Sequence, residues 1–229
     1  MKQTTKLLMS AVAIVAALGF TAATTQAQNL LTDPGFESGA PGQINPIPLP
    51  AGAGGGWAVF NGAGYSQAHP ETGNWGLQEI QGIGAAWNFE AAYQAIGGVS
   101  PGQKYTLTGD FMTTTGISDA GYAPVFIQLT YFNAAGGDLG TVETGGSGAL
   151  AVQYSPAAIG TWYQATVTAT APANAVYVAP YLAFMENGGQ LASDALYWDN
   201  ASLTLVPEPS TLALLGLGMA GAMIWRRRQ

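Results

Sequence analysis

The sequence predicts an all-β, antiparallel sandwich over residues 28–205, flanked by an N-terminal signal helix and a short C-terminal transmembrane helix. Two observations carry the sandwich: apolar runs with period two recur along the region, and turn-forming clusters separate them. A third is composition. The 229 residues include 32 Gly and 13 Pro, with 10% aromatic and only 8% charged residues. Disordered chains are rich in charge and poor in aromatics, so this balance belongs to a packed, turn-rich domain.

The strands follow in order. Trp87, Phe89, Ala91 and Tyr93 alternate with Asn88, Glu90, Ala92 and Gln94. Tyr105, Leu107, Gly109 and Phe111 alternate with Thr106, Thr108, Asp110 and Met112. Val125, Ile127, Leu129 and Tyr131 face away from Gln128 and Thr130, and Ala165 and Val167 away from Gln164, Thr166 and Thr168. Runs at 176–183 and 197–205 complete the set. Pro101-Gly102, residues 133–137, 145–148 and 187–189 supply turns. About eight such strands with short connections fit a two-sheet antiparallel sandwich. The Pro/Gly-rich stretch at 40–56 reads as a long surface loop.

The charges are segregated. Five of the six basic residues (Lys2, Lys6, Arg226, Arg227 and Arg228) lie in the two ends, and twelve acids between residues 28 and 206 oppose Lys104 alone. A nucleic-acid partner needs several cations to neutralise phosphates, so it is excluded. Without cysteine, disulfides and thiolate chemistry are excluded too.

Lys2 and Lys6 precede an apolar run over 7–20, and small residues lead to Ala27. This is the pattern of a secretory signal peptide over 1–27, cut by signal peptidase between Ala27 and Gln28. At the other end, Pro207-Glu208-Pro209 precedes an apolar run ending at Trp225 and then Arg226-Arg227-Arg228. The fifteen residues 211–225 make a helix of roughly 22 Å, a marginal span for a hydrocarbon core of about 30 Å. The arginines belong on the cytoplasmic side, which leaves the domain outside.

This end, 206–229, resembles the sorting signal of PEP-CTERM proteins. The resemblance implies recognition by an exosortase, cleavage near Pro207–Pro209, transient anchoring in the inner membrane, and transfer to the envelope or extracellular matrix. The domain has a resemblance of its own. Its opening, residues 29–39, with Trp57, residues 99–107, residues 171–175 and Trp198-Asp199-Asn200, resembles galactose-binding-like and carbohydrate-binding-module jelly rolls. That implies a jelly-roll topology, with residues 29–39 as its opening strand. It also implies one structural calcium ion at Glu37 and Asp199, with the Gly35 carbonyl and Glu71 beside them. Calcium takes 6–8 oxygen ligands, and an ion between first and last strands would staple the sandwich.

Sugar binding needs exposed aromatics that stack on pyranose faces, with amides and carboxylates reaching the hydroxyls. Trp57, Tyr65, Trp75, Tyr122 and Tyr181 are the candidates, with Asn61, Gln78 and Glu90 as polar company. No catalytic residue is assigned. The only histidine, His69, precedes Pro70, and no nucleophile elbow surrounds a serine. The functional expectation is a non-catalytic surface or matrix protein that contacts exopolysaccharide. A purely structural or adhesive biofilm protein is the alternative, and a two-carboxylate hydrolase the third reading.

Overall fold

The computed structural model describes residues 27–39, 56–80, 86–114, 125–143, 159–187 and 195–206. The expected signal peptide before Ala27, residues 40–55 of the expected long loop, Tyr122, the turn at 145–148, residues 188–189 and the tail 207–229 lie outside the described residues. Among the described residues no helix is long and apolar enough to cross a membrane.

Eleven strands among the described residues form two antiparallel sheets. They are β1 (Ala58–Phe60), β2 (Ala63–Ser66), β3 (Gly76–Ile80), β4 (Ala86–Tyr93), β5 (Ile96–Gly97), β6 (Lys104–Thr113), β7 (Val125–Phe132), β8 (Asp138–Glu143), β9 (Tyr163–Thr170), β10 (Tyr177–Asn187) and β11 (Ala195–Leu205). One sheet runs β1-β4-β10-β7-β8, with β5 added on β10; the other runs β2-β3-β11-β6-β9. Every pairing is antiparallel.

The β9 strand shows how the pattern becomes a layer. Ala165, Val167 and Ala169 point inward, and Gln164, Thr166, Thr168 and Thr170 outward. In β6, Tyr105, Leu107 and Phe111 do the same against Thr106, Thr108 and Asp110. Gly109 is needed between them. A Cβ there would stand 3.1 Å from Leu182 Cδ2 of the opposite sheet and 3.4 Å from the Trp198 ring. The sheets therefore close over Trp57, Trp198, Tyr131, Phe36, Leu77 and Leu182, all fully buried.

Two local features differ from the sequence expectation. Residues 29–39 form turns rather than an opening strand, because Asp33 (φ 52°) and Phe36 (φ 60°) adopt left-handed backbone. The segment still lies along β11: Leu30 N–H donates to Leu203 O at 2.8 Å, and Ala201 N–H to Pro34 O at 2.9 Å. In β4 it is Ala91 and Tyr93 that face outward, while Glu90 and Ala92 turn into the interior. Both faces of the six-stranded sheet carry apolar side chains, so alternation alone does not mark the inner one.

Candidate functional site

Two places on the sandwich are candidates; the first gathers the acids that the sequence singles out, and the second holds Tyr181. The first lies at the bulge of β11. The register between β11 and β6 shifts between Asp199 and Ser202, and Asn200 takes a left-handed φ of 50°. Asparagine tolerates that conformation better than most residues. The bulge presents the fully buried Asp199 to the loop that precedes β3. Asp199 Oδ2 accepts the backbone N–H groups of Glu71 and Thr72, both at 2.9 Å, and Oδ1 accepts that of Asn200 at 2.7 Å.

Glu37 grips the same loop farther along. Its Oε1 accepts from Asn74 N at 2.9 Å and from Trp75 N at 3.1 Å. Gly73 (φ +67°) makes this possible, since a Cβ there would collide with the Glu37 carboxylate. Gly35 sits between the two acids; a Cβ on it would stand 3.7 Å from Asp199 Oδ1 and 3.8 Å from Glu37 Cγ. The Glu71 side chain accepts the Asn200 amide at 3.0 Å. The structure thus brings Gly35, Glu37, Glu71 and Asp199 to one place.

Asp110 of β6 joins them, a residue that the sequence reading missed. It pairs with Asp199 across β6 and β11, and it takes the Gln164 amide at 3.1 Å. Burial pushes the Asp199 carboxyl above its usual range, opposed by its three backbone N–H bonds and reinforced by Glu37. Glu71 is also pushed up, by burial first and then by Asp110 and Asp199. The donor set is oxygen only and strongly acidic, which suits a hard cation such as calcium. Most carboxylate oxygens already accept N–H bonds, however. Among the described residues no three Asp, Glu, His or Cys are gathered as a metal site. The residues that could hold an ion here are Glu37 and Asp199, on either side of Gly35.

The second place is the outer face of the six-stranded sheet. The register lines up Ala58, Tyr93, Tyr181 and Gln128 across four strands. Tyr93 and Tyr181 stack at 5.0 Å between ring centroids, with 21° between planes. Ala91, Ala179 and Ala183 form a low floor beside them, and Phe126 and Phe132 close it. Thr130 bonds Thr141 at 2.9 Å, and Gln128 reaches Thr130 at 3.4 Å. Both stacked tyrosines are buried, whereas Gln128, Thr141 and Tyr177 along the same face are partly exposed.

The other described aromatic candidates make contacts within the fold. Trp57 is fully buried; it donates its indole N–H to Asp33 O at 2.9 Å and packs on Phe36 at 5.1 Å. It stacks on no sugar. Tyr65 meets Phe36 edge-on at 5.5 Å and donates its hydroxyl to Asp33 Oδ2 at 3.0 Å. Trp75 is half-buried against Gly39, where a Cβ would stand 3.1 Å from its ring. Gln78 binds the Tyr197 hydroxyl at 2.9 Å on the outer face of the other sheet, and Asn61 forms the turn between β1 and β2. Glu90 is wholly buried and therefore not part of a glycan surface. His69 lies edge-on to Tyr197 at 4.8 Å.

The sorting signal directly follows the last strand: Leu205 is still paired with Tyr105, and Val206 N–H donates to Lys104 O at 2.8 Å. Residues 205–228 match the PEP-CTERM protein-sorting motif. The chain carries a PEP-CTERM sorting signal. Such a signal implies exosortase processing, and with it export and membrane-anchored sorting. No curated protein matches the chain.

Among solved structures, arabinose-bound MgGH51 α-L-arabinofuranosidase aligns at TM-score 0.50 and 14% identity, over 81% of this chain and 27% of that one. A putative sugar binding protein from Bacteroides thetaiotaomicron aligns at 0.49 and 14%, over 78% and 100%. The CBM22-1 xylan-binding domain of Paenibacillus barcinonensis Xyn10C aligns at 0.45 and 16%, over 81% and 99%. At such identities the likeness is one of fold. The structural neighbours of this PEP-CTERM chain include carbohydrate-binding-module jelly rolls.

Proposed function

We propose that this PEP-CTERM chain is a non-catalytic matrix or envelope protein whose sandwich holds exopolysaccharide on the outer face of its six-stranded sheet. Signal peptidase frees the chain at Ala27–Gln28. Exosortase acts near Pro207–Pro209 while the C-terminal helix holds the chain in the inner membrane, with Arg226–Arg228 cytoplasmic. The observation that supports the glycan reading most is the row Tyr93, Tyr181 and Gln128 beside the alanine floor. Tyr93 and Tyr181 are themselves buried, so a sugar meets the partly exposed rim of that row: the Gln128 amide and the Tyr177 and Thr141 hydroxyls. A face with hydroxyl and amide groups, whose nearby charge is the carboxylate of Asp138, suits a neutral polysaccharide rather than an acidic one.

The test is affinity electrophoresis of the full chain against a panel of soluble neutral and acidic polysaccharides. Gln128→Ala is expected to weaken binding about 3- to 10-fold, the worth of one hydrogen bond. Tyr181→Ala, which empties the stack beneath that rim, should weaken it further. Retention in the matrix with no affinity for any polysaccharide would replace the glycan reading with a purely structural, adhesive one.

We further propose that one calcium ion bridges Glu37 and Asp199 and ties the N-terminal segment to β11. Its chemistry is neutralisation of the acidic cluster. Calcium at a hundred times its Kd stabilises the folded state by about 2.7 kcal/mol. Differential scanning calorimetry is expected to show a lower melting temperature in chelator and recovery with calcium. Equal melts in both conditions would remove the ion from the account.

A further inference from the structure

At the end of the sandwich away from Val206, two carboxyl groups face each other inside the core. Glu79 of β3 and Glu90 of β4 are both fully buried, one from each sheet. Glu79 Oε2 accepts the Trp198 indole N–H at 3.0 Å, while Oε1 has no hydrogen-bond partner. The register sets Glu79, Leu196 and Thr113 side by side on the inner face, and Thr113 Oγ1 also lacks a partner. On the facing sheet Glu90 stands in line with Phe184 and Val125.

The elements packed around the pair supply no counter-charge among the described residues. Ala63 comes from β2, Leu196 and Trp198 from β11, Thr113 from β6, Phe184 from β10 and Val125 from β7. Tyr65, the nearest titratable side chain of β2, turns its hydroxyl to Asp33. Lys104 starts β6 at the opposite end. Two unneutralised charges in such a place would be far costlier than two neutral carboxyls. Burial pushes Glu79 well above the usual carboxylate range, and Glu90 adds to the shift.

We propose that Glu79 and Glu90 are a proton-holding pair that locks the two sheets together at this end, so that the domain is tightest in acidic surroundings and loosens progressively as pH rises. The chemistry is simple: each carboxylate takes a proton from solvent as the core closes and returns it to solvent as the core opens. A carboxyl held above its unfolded value stabilises fully below that value, about pH 4.3, and the stabilisation disappears as pH rises through the folded value.

Thermal unfolding of the full chain between about pH 5 and pH 9 tests this, with Glu79→Gln, Glu90→Gln and the double variant alongside. Between the unfolded value, about pH 4.3, and the folded value, each pH unit should lower the folded-to-unfolded ratio of the natural chain about tenfold per proton released on unfolding. The double variant should lose that slope. Any remaining slope belongs to Asp199 and Glu71, which these variants leave intact. Infrared difference spectra should show a protonated-carboxyl band in the natural chain that the double variant lacks. Absence of that band, or a double variant whose slope parallels that of the natural chain, would overturn the proposal. So would a slope abolished by calcium or by chelator, which would assign the pair to a cation instead.

Discussion

Replacing Trp198 by alanine is expected to destabilise the sandwich by about 3–5 kcal/mol, the usual cost of deleting a large buried aromatic. In a domain of this size that lowers the melting temperature by roughly 6–20 °C. The residue is fully buried, packs on Phe111 at 5.5 Å between rings, and stands where Gly109 lets the two sheets approach. Its loss opens a cavity that the sheets cannot fill without shifting Leu182. It also removes the indole hydrogen bond to the Glu79 carboxyl. Trp198→Phe separates these effects, because phenylalanine keeps most of the volume and drops only the indole N–H. Urea denaturation of the two variants gives the division. A Trp198→Ala midpoint within error of the natural chain would contradict the packing described above.

Asp199→Ala is expected to be nearly as damaging. It leaves the backbone N–H groups of Glu71, Thr72 and Asn200 without their acceptor. An unsatisfied buried donor costs about 1–3 kcal/mol, and water relieves part of this in the more exposed loop, so a total of about 2–5 kcal/mol follows. Asp199→Asn keeps one acceptor oxygen and should recover part of the loss. Measured in chelator, the Ala variant reports only the lost backbone anchoring. Measured with calcium, any additional gap from the natural chain reports the ion. Proteolysis within residues 69–75 should accelerate in the Ala variant and stay slow in the Asn variant.

The acidic junction was legible because the motif order placed Glu37 at the start of the domain and Asp199 at its close, and an antiparallel sandwich brings such ends together. What sequence could not show was how the acids would be used. The loop turns its N–H groups toward them, a consequence of left-handed φ at Gly73 and Asn200 that no side-chain pattern announces. Asp110 escaped notice because β6 alternation marks it only as outward-facing; the register with β11 decides whom it meets.

The aromatic candidates fared unevenly for a related reason. Exposure depends on which face of which sheet a strand presents, and β4 has apolar residues on both faces. Tyr93 therefore belongs to the outer face and was not singled out, whereas Trp57 was singled out and is core. The short strands β1, β2, β3, β5 and β8 were not read from sequence. They have 2 to 6 residues, and all but β1 carry glycine or polar side chains, which gives period two too few positions to register.

The strand that leads to the sorting tail occupies the middle of its sheet, paired to β3 along one edge and to β6 along the other. A pull arriving through Val206 runs along β11 and meets its ladders side-on. Their hydrogen bonds lie across the strand, so they resist together instead of opening one at a time. The N-terminal segment, bonded to Leu203 and Ala201, adds a third line of attachment to the same strand. Tethered this way under flow or matrix swelling, the domain would be loaded in shear, the direction in which a β-sheet is mechanically strongest.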